Sequence, residues 1–447
     1  MRSILPKNLI TLAEKLPTPL YVVGGSVRDF LAGLSSASHD WDICAPLVAD
    51  EFANIATRNG FFVKSVYKHT GTVKLKDEQG VEYEYSCFRS DKYTRGVHTP
   101  TEIFFTDDIE LDARRRDFTC NAVYYDVKTF TYLDPLSGIP AIREKRLTTV
   151  TDACKVFGED GLRLLRLARQ AAQLGFSPDE NCLSGAKQHA ALIQDISPER
   201  IFTELSALLT ADKKYGVSYG HYHGLRLMEE TGVLGHILPE LAEGKGMSQR
   251  ADFHKYDVLE HSLRAAKYAD ERVRLAALLH DVGKPFCQNR DGNSHAHPDE
   301  GEGLAREILH RLKAPKKLTE SVCLLVKWHM YDFNCQTREN KLRRFFVRHY
   351  ALLPELLLLK QADFSACTDD PSVAPTVSKW KKILEKMQEE NAPFTLKQLA
   401  VGGKGLLDLG IPPHRVAEVL QSLLLHAAVN PTENTKERLL RLAPSFL

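Results

Sequence analysis

Two aspartates two residues apart, Asp40 and Asp42 in HDWDICAP, are the first residues of the chain whose types and spacing suit chemistry. Side chains alternate along a strand, so both carboxylates point to one face. Like charges that close repel unless a cation lies between them. Such a pair suits Mg2+ ions that bridge a triphosphate and activate an attacking hydroxyl. Glu84, in the strand-like run VEYEYSCF, offers a third carboxylate. Upstream, LYVVGGSVRDFLAG (20–33) reads as an apolar strand, a Gly24-Gly25-Ser26 turn and a helix, with Arg28 adding a fixed charge. Glycines let a backbone approach a phosphate closely, and a helix start favours an anion. Alone, a Gly-Gly pair is also a plain strand-to-helix turn, and an Asp-x-Asp an exposed acidic strand. In this order and at this distance they point to phosphoryl transfer.

A second constellation begins near residue 256. It comprises His261, the adjacent His280-Asp281 at the end of the apolar run RLAALL, then His297, His329 and Asp363. A lone histidine on an apolar helix is usually a core or surface residue. Imidazoles and carboxylates drawn from several helices suit a borderline or hard divalent metal.

The elements that must hold these residues divide the chain in two textures. Residues 20–23, 61–67, 71–77, 81–88 and 128–135 are rich in β-branched and aromatic residues and punctuated by Gly, Asp and Pro, as strands are. From about Ile142 leucine and alanine recur at helical spacing to Leu447, and Ser197-Pro198-Glu199-Arg200 marks a helix start. The expected fold is an α+β head followed by an all-α body. Expected domains are a head (1–140), a helical neck (141–210), a linker (211–255), a metal-binding helical domain (256–370) and a helical tail (371–447).

Composition narrows the function classes. Of 447 residues, 59 are Lys or Arg and 58 Asp or Glu, so the net charge of +1 provides no global basic field. No apolar run approaches the ~20 residues of a membrane span, and MRSILPKNLITLAEKL reads as a short amphipathic helix rather than a signal peptide. The nine cysteines show no CxxC and read mainly as core fillers. A soluble, cytoplasmic protein with no membrane partner is expected.

GGSVRD, HDWDI, RRDFTCNAVYYD (115–126), GEDGLRLLRLAR (158–169) and SPERIFTEL (197–205) together resemble, in order, the motifs of class II tRNA nucleotidyltransferases, the CCA-adding enzymes; bacterial poly(A) polymerases are similar there. The resemblance implies a polymerase-β-like head and a helical neck, body and tail. It implies tRNA, CTP and ATP as partners and Mg2+ as cofactor. By residue, Asp40 and Asp42 would hold the metal with Glu84 as third carboxylate, and Gly24, Gly25, Ser26 and Arg28 would cradle the triphosphate. Arg116, Asp117 and Asn121 would contact the sugar and phosphates of the nucleotide, to which the resemblance also assigns Arg166. Asp160 and Arg163 would bind the base. The plainer reading of Arg114–Arg116 is a solvated basic turn, and of Asp160/Arg163 a surface ion pair.

Base chemistry agrees with the last assignment. Cytosine and adenine each present an amino donor beside a ring-nitrogen acceptor, and guanine and uracil the reverse. A carboxylate beside a guanidinium on one helix face therefore fits C and A, and leaves polar groups unpaired against G or U. Gly161 stands where the family usually has proline, which is expected to loosen the turn. Switching from C to A needs a movable element. The family's flexible loop corresponds here to 90–108, with Arg95, Gly96 and Pro100, which favours full CCA addition.

The histidine series resembles the HD superfamily of metal-dependent phosphohydrolases. His261, His280, Asp281 and Asp363 match its ligand pattern, with His297 and His329 as intermediate ligands for a divalent metal the sequence does not specify. This implies phosphohydrolase chemistry, or a domain that only positions RNA. The segment 395–427 resembles the tail of HD-containing CCA enzymes, with Gly405 and His414 departing from it. The rival functions are an A-adding enzyme or poly(A) polymerase, and an HD hydrolase whose head docks RNA. KERLLRLAPSFL supplies no long basic tail of the kind expected of a poly(A) polymerase.

Overall fold

The computed structural model describes residues 1–34, 41–93, 100–249 and 255–447. They fall in two units, Met1–Ala242 and Glu243–Leu447. Among the described residues no helix is long and apolar enough to cross a membrane. All nine cysteines are free thiols, six of them buried.

The first unit is built on a seven-stranded sheet. Its strands are β1 (Tyr21–Val22), β2 (Trp41–Ala45), β3 (Phe62–Tyr67), β4 (Thr72–Lys76) and β5 (Glu82–Cys87), then, beyond the ribbon strands β6 (Arg89–Lys92) and β7 (Glu102–Phe105), β8 (Tyr124–Asp126) and β9 (Tyr132–Leu133). The order is β3-β4-β5-β2-β1-β8-β9. β2 runs parallel to β5, and every other neighbouring pair is antiparallel. Period-two alternation sets the faces: Trp41, Ile43, Tyr83 and Tyr85 are buried while Asp42 and Glu84 point outward. Tyr85 stacks on Phe52 of the helix Ala49–Arg58, with ring centres 3.6 Å apart. Val23, Cys44, Phe88, Ala122, Tyr124 and Val156 share one core cluster, which fastens the sheet to the RRD segment and the first neck helix.

The stretch 90–108, expected as a loop, departs from that expectation at its base. β6 and β7 pair there as an antiparallel ribbon outside the main sheet, with Lys92 and Glu102 facing each other at 3.1 Å. Cross-strand hydrogen bonds satisfy backbone groups that a loop would leave to water. Arg95 and Gly96 lie outside the described residues. β8 arises inside RRDFTCNAVYYD, where the sequence reading placed no strand.

Helices Ala153–Glu159, Leu162–Leu174, Pro198–Leu209 and Gly220–Glu230 follow the sheet in this unit, and Leu162–Leu174 packs on the last two. Between the first two, Asp160 is extended (φ −146°, ψ 105°). Asp160 and Arg163 therefore do not share one helix face, as the sequence spacing suggested. The chain breaks at Asp160, whose Oδ1 accepts the Leu162 N–H at 2.9 Å, satisfying one free donor at the start of the next helix. Nor does Gly161 loosen the turn. Its φ of −60° is one proline would also adopt, but a Cβ there would stand 2.4 Å from the Leu192 carbonyl oxygen. The missing side chain admits a neighbouring backbone.

The second unit is helical. Val258–Tyr268 packs on Leu353–Thr368, and His297–Arg311 on Lys316–Trp328. Trp380 is fully buried against Phe346, with ring centres 5.1 Å apart, and its indole N–H donates to Asp332 at 2.9 Å. In the tail, Val416–Val429 packs on Glu339–Arg348.

Candidate functional site

In the first unit one cavity of about 700 Å3 collects most of the residues singled out from sequence. Gly24, Gly25, Ser26, Arg28, Asp42, Arg116, Asp117, Asn121, Asp160, Arg163 and Arg166 all line it. Asp40 lies outside the described residues, immediately before β2. Glu84 is the register partner of Asp42 across β2 and β5, but it does not line the cavity and pairs with Lys74 at 3.3 Å.

Gly24 opens the site. Its φ of +80° lies in the left-handed region, and a Cβ would stand 2.9 Å from Asp42 Oδ2. The turn thus brings bare backbone against the carboxylate, leaving oxygen donors of the hard kind that suit a divalent cation. Seven basic side chains line the cavity against four carboxylates, a surplus of three that suits a polyanion.

Buried acids fix three of those cations, Arg115, Arg116 and Arg166. Asp112, with no exposed surface, holds Arg115 at 2.7 Å and Arg116 at 3.0 Å and accepts the Tyr124 hydroxyl at 2.7 Å. Burial favours its neutral form, but the two guanidiniums outweigh that and keep it well below the usual carboxylate range. Asp117 does the same for the opposite wall. It accepts from Arg166 Nε (2.8 Å), Asn121 Nδ2 (2.8 Å) and Gln170 Nε2 (3.3 Å), and Arg166 and Asn121 depress it against its burial. Arg28 donates to Asn121 at 2.7 Å and to Asp29, which also accepts the Tyr215 hydroxyl. Arg28 is thereby part of this scaffold as well as of the cavity wall.

At the base-reading end, Arg163 is held by backbone carbonyls, those of Val156 at 3.1 Å and Arg115 at 2.8 Å. Its Nε is 3.9 Å from Asp160 Oδ2, and burial raises the Asp160 carboxyl above its ordinary range. Tyr93, at the end of the ribbon, lies under the Arg163 guanidinium, 5.5 Å from ring centre to cation. Sequence reasoning missed Asp112, Arg169, Gln170 and Gln173. The last three had a signal: with Arg163 and Arg166 they repeat at three- and four-residue steps along Leu162–Leu174.

In the second unit, the histidine series converges on Asp281. His261 Nε2 is 3.0 Å from Asp363 Oδ1 and 3.2 Å from His280 Nε2, and both imidazoles approach Asp281 Oδ2, at 3.5 and 3.3 Å. His297 and His329 lie with their Nε2 atoms 3.2 Å apart and approach the other oxygen, Oδ1, at 3.3 and 3.6 Å. One carboxylate therefore joins two ligand groups. The Nδ1 atoms of His280, His297 and His329 donate to the carbonyls of Ala277, Ser294 and Val326 at 2.6–2.7 Å. Carbonyls only accept, so each Nδ1 carries a proton and each Nε2 faces the cluster. Two such nitrogens 3.2 Å apart repel unless a proton or a metal stands between them. Burial pulls His329 down to about 4, whereas Asp281 and Asp363 overcome burial and push His280 up to about 10. Lys284 Nζ lies 2.6 Å from Asp281 Oδ2. Cys367, read as a core filler, sits within 4.8 Å of the His261 and Asp363 ligand atoms, but burial pushes its thiol up to about 12.

Three family models match successive stretches of the chain. Residues 20–148 match the Poly A polymerase head domain, 175–245 the "Probable RNA and SrmB- binding site of polymerase A", and 254–363 the HD domain. The head and HD domains are both metal-dependent. The A-adding tRNA nucleotidyltransferase of Deinococcus radiodurans is 31% identical over 429 residues, 91% of each chain. The CC-adding tRNA nucleotidyltransferase of Thermus thermophilus is 32% identical over 78% of this chain and 76% of its own. The Multifunctional CCA protein of Stenotrophomonas maltophilia is 33% identical over 68% of this chain and 74% of its own. In fold, the chain matches the Bacillus stearothermophilus CCA-adding enzyme in complex with CTP, at a TM-score of 0.69 and 24% identity over 99% of this chain and 98% of that one. On this evidence the chain belongs to the tRNA nucleotidyltransferase family.

Proposed function

We propose that this protein adds C, C and A to the 3′ end of tRNA without a nucleic-acid template, using CTP and ATP. The observation that carries the reading is one cavity joining Asp42 and the Gly24 turn to the buried Asp160/Arg163 pair. The tRNA 3′-hydroxyl attacks the α-phosphate in line, and pyrophosphate leaves. Asp42, with Asp40 beside it in sequence, would hold Mg2+, which would supply charge stabilisation for the attacking and leaving oxygens. The backbone of Gly24 and Gly25 admits the triphosphate, and Arg116 and Arg166 neutralise it from orientations set by Asp112 and Asp117. Asp160 accepts from the exocyclic amine of C or A while Arg163, locked by two carbonyls, donates to the ring nitrogen. Because the pair is buried and fixed before the base arrives, a wrong base finds donors facing donors.

The assay that tests this supplies the protein, Mg2+ and a tRNA lacking CCA with CTP alone, ATP alone, then both. Sequenced ends should show CC followed by a single A. Addition of A only to a tRNA already ending in CC, or a long A run, overturns the reading.

Two substitutions test the residue roles. Asp160→Ala should lower kcat/KM discrimination against GTP and UTP by about one to two orders of magnitude while leaving Mg2+ dependence unchanged. Unaltered NTP selectivity would remove Asp160 from the reader. Gly24→Ala forces a left-handed alanine, worth roughly 1–2 kcal/mol, and pushes a methyl into Asp42 Oδ2. Its addition rate should fall at least about tenfold, read beside a denaturant midpoint. A variant with normal rate would show that the turn does not position Asp42.

The cluster around Asp281 supports a second activity in the same chain. Its two ligand groups, sharing Asp281, would hold a pair of divalent ions. A bound pair would supply an activated water for hydrolysis of a phosphate ester.

A further inference from the structure

Lys360 lies on the helix Leu353–Thr368, one turn before Asp363, and is 5% exposed. Its ammonium donates to the carbonyls of His329 at 2.6 Å and Tyr331 at 2.7 Å, and sits 4.9 Å from the Trp380 ring centre. Those carbonyls follow the end of the helix Lys316–Trp328, where backbone acceptors have no partner within the helix and a cation is favoured. A buried charge hydrogen-bonded only to carbonyls is a costly way to fill space, and an unbranched apolar side chain would fill it with less desolvation. What the charge accomplishes is positional. His329 owes its ring orientation to a hydrogen bond onto Val326 O, so the aim of its Nε2 follows the backbone of 326–331. Lys360 fastens that backbone to the helix bearing Asp363.

We propose that Lys360 is a positioning residue of the HD centre, which sets the subsite formed by Asp281, His297 and His329 in place beside the one formed by Asp281, His261, His280 and Asp363. The proposal rests on the two-ion reading of that cluster. It predicts an asymmetric defect: loosening the His329 arm should weaken one subsite far more than the other, to none of whose ligands Lys360 hydrogen-bonds.

The test uses the full chain carrying Asp42→Asn, so that uptake reports the HD centre, with Mn2+ as the probe. Equilibrium dialysis and electron paramagnetic resonance are read together. The parent should take up two Mn2+ per chain and show a spin-coupled spectrum. Lys360→Met should raise the second dissociation constant about 10- to 100-fold and leave one ion with an uncoupled six-line signal. Lys360→Arg, which can still donate to both carbonyls, should restore the coupled spectrum. A coupled spectrum at parental affinity in Lys360→Met, or equal loss of both ions, overturns the proposal, the latter because it marks a purely structural role. A parent that binds fewer than two ions, or an Asp281→Asn chain that binds as many as the parent, overturns the two-ion reading itself and the proposal with it.

Discussion

Asp42→Asn is expected to lower the rate of nucleotide addition by about a thousandfold, roughly 4 kcal/mol of transition-state stabilisation, without measurable loss of stability. Asparagine keeps the shape and removes the charge, and a neutral amide is a poor ligand for a hard divalent cation. The side chain projects outward from a strand whose alternate residues form the core, so the fold does not depend on it. A surface-facing change of this kind costs within about 0.5 kcal/mol. Single-turnover extension of a tRNA primer at saturating CTP checks the first half, and thermal melting the second. The defect belongs in kcat more than in KM, because the contacts proposed for the triphosphate, to Arg116, Arg166 and the Gly24 turn, are untouched by the substitution. A variant retaining a tenth of the activity would mean that Asp42 is not a metal ligand. Loss of activity together with a lowered melting temperature would point to a folding role instead.

Asp42 was legible in the sequence because strand alternation is a one-dimensional rule: an Asp flanked by Trp and Ile on an apolar run must face away from the core. The convergence of GGSVRD, RRD and EDGLR on one cavity was legible only through the family's motif order, since no local rule brings residue 24 to residue 163. The same limit explains the errors. The i, i+3 spacing of Asp160 and Arg163 suggested one helix face, yet the side chain of Asp160 competes with the backbone and ends the first helix. Asp112 in IELDARRR reads as one acid of an exposed, ion-paired helix. Only the closure of Tyr124 and β8 over it makes it a buried anchor for two arginines. The ribbon β6–β7 escaped notice because its strands are short, carry charges and join nothing but each other. In the helical unit the histidines and aspartates were readable as candidate ligands, and they do converge. That Asp281 gives one oxygen to each half is a three-dimensional property that spacing cannot carry.

That division makes Asp281→Asn the variant with the largest expected effect in the second unit. The amide keeps one oxygen and loses the charge that two pairs of imidazoles approach, so both subsites fail together: Mn2+ uptake at this centre should fall from two ions to none at about 0.1 mM free metal. Substituting a ligand that serves one subsite, such as His329→Ala, should cost one ion only. Metal-dependent phosphatase activity should vanish with Asp281→Asn, while CCA addition, whose residues lie in the other unit, should stay at the parental rate. The pH dependence of the parent follows from the same charges. Without metal, Asp281 and Asp363 hold the His280 imidazole up to about 10, so at neutral pH that nitrogen carries a proton which an ion must displace. His329, pulled down to about 4 by burial, needs no such exchange. The displacement of the His280 proton should therefore make uptake at its subsite strengthen with pH between pH 6 and 8, and His329 should add no such dependence to the other subsite. Two binding constants with different pH slopes in one titration would match this account. Parallel slopes would show that the two halves share their protons and would overturn the separate protonation of His280.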